Sequence, residues 1–139
     1  MPRFMLLLSV ACLLCGAARA ETVPFSATLA GTSEVPPKTT AGAGTATATL
    51  DTTTKMLTYD VEYAGLSGPA TAAHFHGPAE PGANAGVVVP FQPPANPIKG
   101  TATLTDAQMS DLMAGKWYAN VHTAANPAGE IRGQLTRAK

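Results

Sequence analysis

The sequence predicts an all-β domain, an antiparallel Greek-key β-sandwich carrying one short helix. Two observations carry this expectation. Short stretches alternate apolar with polar residues at period two, as strands with one buried and one wetted face do. The intervals between them are rich in Gly, Pro, Asn and Ala, and many short strands punctuated by turn signals build a sandwich or a barrel.

The first three strands are Phe25-Ser26-Ala27-Thr28-Leu29, Thr45 to Leu50 and Leu57 to Tyr63. Later candidates run from Thr71 to His76, Val87 to Phe91, Gly100 to Leu104, Trp117 to His122 and Glu130 to Leu135. Gly44 to Asp51 is echoed by Gly100 to Asp106, which reads as two similar strands, since two echoes make no repeat array. Thr105-Asp106-Ala107-Gln108 has the layout of a capping box and opens the helix. Met109, Leu112 and Met113 form its apolar stripe, and Gly115 ends it. Helical spacing assigns the two methionines to packing; their soft sulfurs leave copper ligation as the other reading. The Pro-rich pieces Glu34-Val35-Pro36-Pro37 and Phe91 to Pro97 stiffen loops and block stray edge pairing.

Residues 1–20 read as a signal peptide: Arg3, an apolar run from Phe4 to Leu14, and small residues closing with Ala18-Arg19-Ala20. The run is too short to span a bilayer, and no later segment replaces it. Residues 21–139 are then a single domain, exported to a periplasmic or extracellular address. Both cysteines, Cys12 and Cys15, fall in the signal segment, so no disulfide staples the mature domain. Lipid attachment at Cys12 is the rival reading, against which Ser9-Val10-Ala11 lacks the usual leucine.

The chain has 9 Lys and Arg against 9 Asp and Glu. Losing Arg3 and Arg19 with the signal leaves the mature domain slightly acidic, which excludes nucleic acid as a partner, because phosphate binding needs clustered cations. Covalent and nucleotide chemistry lack their parts, with no mature Cys, Gly-X-Ser-X-Gly elbow or phosphate-cradling loop.

The three histidines are concentrated in two strand candidates: His74 and His76 in Ala73-His74-Phe75-His76-Gly77, and His122 in Trp117 to His122. Residues two apart on a strand share a face with Cα atoms about 6.5 to 7 Å apart, so two imidazoles can converge on one ion. The same alternation turns Phe75, Trp117, Ala119 and Val121 to the core. It sets Glu130, Arg132 and Gln134 opposite Ile131 and Leu135. If the strands are neighbours, a three-histidine site for copper or zinc results, its fourth position filled by Glu80 or water. Glu130, Arg132 and Asn120 are then candidates to stand behind the ligands and orient them; the plainer reading of Glu130 and Arg132 is an exposed ion pair of little weight. The turn Asn126-Pro127-Ala128-Gly129 is assigned no chemistry.

Leu29-Ala30-Gly31 with Glu34-Val35-Pro36-Pro37, then Ala73 to Ala79, resemble the first half of a CHRD (chordin-type) domain. Tyr118 to Thr123 followed by Asn126 to Leu135 resemble the second half, in the family's order. The resemblance implies a β-sandwich found as repeats in chordin and as stand-alone bacterial secreted proteins; it implies no reaction. His-X-His on a sandwich that is superoxide-dismutase-like or immunoglobulin-like is also similar to copper-zinc superoxide dismutase. Three histidines cannot supply that enzyme's copper set and its zinc site. The expected function is therefore a non-enzymatic exported domain holding a copper or, second, a zinc ion through His74, His76 and His122. The alternatives are a metal-free adhesion or protein-interaction module and, last, a dismutase-like copper enzyme. Whether a protein partner exists is not legible.

Overall fold

The structure is a computed structural model and describes residues 20–139. The segment read as a signal peptide, with Cys12 and Cys15, lies outside these residues apart from Ala20. Nine strands and one helix follow in order: β1 Thr22–Ala30, β2 Ala43–Asp51, β3 Met56–Ala64, β4 Ala70–His76, β5 Val87–Pro90, β6 Ile98–Thr103, α1 Asp106–Met113, β7 Tyr118–Thr123, β8 Ile131–Gln134 and β9 Thr136–Arg137. The one-turn 3-10 helix at Gly31–Ser33 and the short β9 were not foreseen. Among the described residues no helix is long and apolar enough to cross a membrane.

The strands pair antiparallel in the order β5-β4-β7-β8-β1-β2-β3-β6, with β9 beside β1. β1 and β2 are in unbroken register from Thr22↔Asp51 to Ala30↔Ala43, and β2 continues the ladder into β3. The echoed segments form β2 and β6, which flank β3 on its two sides. Two four-strand halves result, joined by the single pair Ala30↔Arg132 between β1 and β8. They curl face to face into a nearly closed barrel, because Tyr59 of β3 meets Phe75 of β4 edge to face with ring centroids 5.4 Å apart.

The alternation explains the core. Val23, Phe25, Ala27 and Leu29 of β1 point inward, as do Leu57, Tyr59 and Val61 of β3, and all are buried. From the other half Ala73, Phe75, Ala119, Val121 and Ile131 meet them at zero exposure. Phe75 is the hub, its ring centroid 4.7 Å from Phe91 and 5.9 Å from Trp117. The helix has its capping box, with Thr105 Oγ1 accepting from Gln108 N and Gln108 Oε1 from Thr105 N. Met109 and Met113 pack against the core beside the buried Leu112.

Truncating the hub removes three aromatic contacts at once, with Tyr59, Phe91 and Trp117. Phe75→Ala is expected to cost about 3–5 kcal/mol, read as a lower urea midpoint at little changed slope.

Candidate metal centre

Sheet register assembles the site. His74 and His76 leave the outer face of β4 while Ala73 and Phe75 enter the core; in β7 the pairs are Ala72↔His122, His74↔Asn120 and His76↔Tyr118. The three imidazoles, from segments 48 residues apart, come together on one face. One ring nitrogen of each lies within 4.8 Å of those of the other two. His74 Nδ1 and His122 Nε2 are 3.2 Å apart. That separation is close to the edge of about 3.3 Å of a tetrahedron with metal–nitrogen bonds of 2.0–2.1 Å.

Two rings have fixed tautomers. His76 Nδ1 donates to Ala85 O at 2.9 Å and His122 Nδ1 to Pro127 O at 3.0 Å; a carbonyl only accepts, so in the neutral form of each ring the lone pair is on Nε2. His76 Nε2 is buried with no hydrogen-bond partner. Burial, then the neighbouring His122 and His76, bring the pKa of His74 down to about 4. Burial is also the main cause lowering that of His76. Both rings are neutral at neutral pH, the state in which imidazole ligates.

The polar face around them is buried: Glu34, His76, Asn120, Thr123, Glu130 and Arg132 are each at most 9 % exposed. Loops on either side of β4 and the chain after β1 cover it. Tyr118 stands between two stacked groups, the parallel His76 ring at 4.8 Å and the Arg132 guanidinium 3.4 Å from its centroid. Arg132 donates to Asn84 Oδ1 at 2.9 Å and Ala83 O at 2.5 Å, and the Tyr118 hydroxyl contacts both N and O of Ala85. The loop 83–85 that orients His76 is thus held by the stack beside His76.

The other residues expected behind the ligands bond elsewhere. Asn120 donates to Glu34 and to Ile131 O. Glu130 accepts from Thr40 Oγ1, Ser67 Oγ and Thr123 Oγ1, each at 2.6 Å, and from Ser67 N at 2.8 Å. Among the described residues Glu130 and Arg132 do not pair with each other, and neither is exposed; the strand face taken for wet is roofed by loops. Glu80 lies with Lys116 at 3.8 Å, outside the histidine group. Met113 Sδ accepts from Arg137 at 3.4 Å, and both methionines pack on the core. The turn assigned no chemistry supplies Pro127 O to His122. Its Gly129, at φ +126, makes room for Glu34: a Cβ there would meet Asn120 Nδ2 at 2.5 Å and Glu34 Oε1 at 2.6 Å. Glu34 and Tyr118 were missed as site residues, although both stand in the quoted motifs Glu34-Val35-Pro36-Pro37 and Tyr118 to Thr123.

The family model of the CHRD domain matches residues 25–135. No curated protein and no solved structure matches the chain.

Burial raises the pKa of Glu130, but the hydrogen bonds from Ser67, Thr123 and Thr40 outweigh it and hold the group at about 2. A depressed carboxylate stabilises the fold above its ordinary 4.5 and loses that contribution as pH falls toward 2. Glu130→Gln is expected to cost about 2 kcal/mol at pH 7 and to flatten the fall in stability below pH 4.5, followed by urea unfolding across this range.

Proposed function

The chain belongs to the CHRD-domain family, and from that premise we propose that it is an exported, non-enzymatic domain holding one copper ion, with zinc as second choice, through His74, His76 and His122. The observation that carries the reading is the convergence of three ring nitrogens within 4.8 Å, with two rings pinned by carbonyls behind them. Such outer hydrogen bonds fix tautomer and orientation in metal sites. A three-imidazole set without thiolate suits Cu(II) or Zn(II) and leaves a fourth position to water or an incoming donor. Metal handling or delivery follows as the role.

The N-terminal segment of Arg3, apolar run and Ala18-Arg19-Ala20 supports export to a periplasmic or extracellular address. We read the two four-strand halves as the sheets of a Greek-key sandwich. A metal-free interaction module is the second reading, favoured by the outer face of β2, β3 and β6, where Thr47, Thr49, Thr58 and Thr101 form an exposed row of hydroxyls.

Isothermal titration of Cu(II) and Zn(II) is expected to show one-to-one binding. The double variant His74→Ala, His76→Ala is expected to weaken it by more than the roughly 10–100-fold that loss of a supporting group costs. A folded wild type that takes up neither ion overturns the metal reading and favours the module; superoxide or peroxide turnover by the loaded protein overturns the non-enzymatic part.

A further inference from the structure

Arg132 also lines a cleft of about 400 Å³ between the chain at 32–37 and the loop at 81–82. The buried Glu34 and Arg132 are its charged groups, and Val35, Pro37 and Pro81 give it apolar walls. A smaller cavity of about 160 Å³ shares Glu34, Val35 and Arg132 and extends the recess toward His76. A cleft of this size with a few convergent polar groups among apolar walls is the form small-molecule sites take.

The charge in it is out of balance. Arg132 is 2 % exposed, and among the described residues no ion pair joins it to a carboxylate; the pairs are Lys55–Asp106, Lys99–Asp60 and Lys116–Glu80. Two of its five N–H groups are spent on Asn84 and Ala83. A buried guanidinium is costly without an anion. The carboxyl on which its charge acts is Glu34: burial outweighs the charges of Arg132 and Lys38 and the hydrogen bonds from Asn120 and the Val35 backbone, and pushes its pKa up to about 7. Glu34 is therefore only partly ionised at neutral pH and offsets the charge of Arg132 only in part.

We propose that this cleft binds a small organic carboxylate, its oxygens on the N–H groups of Arg132 that Asn84 and Ala83 leave over, its apolar body against Val35, Pro37 and Pro81. The site is independent of any metal. A carboxylate is preferred to phosphate because one guanidinium fork matches two oxygens, and because the walls are apolar.

The test is an amide-shift NMR titration of chelator-treated protein with benzoate, benzamide and benzylamine. Benzoate is expected to saturate, with shifts at Glu34, Val35 and Gly82, while the neutral and cationic analogues bind at least about tenfold more weakly, the loss of one charged contact. Arg132→Gln is expected to abolish the preference. Because Arg132 is buried, the exposed Ser33→Glu provides a second variant: a carboxylate added at the rim weakens benzoate without disturbing the core. Equal binding of benzamide, stronger binding of benzylamine, indifference to Ser33→Glu in a folded protein, shifts confined to other surfaces, or no saturation at millimolar benzoate each overturn the proposal.

Discussion

The paired strands β7 and β8 are buried on both faces along most of their length, and the rest of the structure depends on that constraint. A regular strand alternates its side chains, so a sheet whose inner face packs an apolar core presents every second residue to the outer face. In β7 and β8 that outer face lies under loops, and Asn120 and Arg132 are as inaccessible as the core itself; Thr123 and Glu130 at the strand ends are no more exposed. Each buried polar group must then find a partner or cost free energy. The loops are therefore fastened by the polar residues they cover.

Three fastenings divide the task. Glu130 gathers Thr40, Ser67 and Thr123, tying the approach to β2 and the approach to β4 onto the end of β7. Arg132 and Tyr118 fix the loop at 83–85, and with it the carbonyl that orients His76. Glu34 and Asn120 close the chain after β1 over the turn at Gly129, where any side chain would collide with them. The histidines, the stack and the cleft are neighbours because all use the same roofed face.

Most of the strands were legible in the sequence because period-two alternation is a local signal. Capping at Thr105 and the inward facing of Phe75, Trp117 and Val121 were legible for the same reason. The grouping of His74, His76 and His122 followed from alternation only once β4 and β7 were neighbours, a pairing that no local pattern encodes. What misled was the polarity of Glu130 and Arg132. Charged residues are rarely inside unless partnered, and their partners, Thr40, Ser67, Ala83 and Asn84, come from loops distant in sequence. Pro127 and Ala85 escaped notice because they contribute backbone oxygens, about which residue identity says nothing.

The single pair joining β1 to β8 bears on the order in which the molecule is made. β1, β2 and β3 are successive antiparallel neighbours, whereas β4 must wait for β7, with His74 and His122 48 positions apart. Short-range contacts form at lower entropic cost, so topology favours early folding of the first three strands and late docking of β7. Before that docking the chain offers only two imidazoles, on one strand. The third arrives with the last large rearrangement, which makes the histidine trio a marker of finished folding: a ligand that needs all three rings discriminates the native molecule from every half-built predecessor.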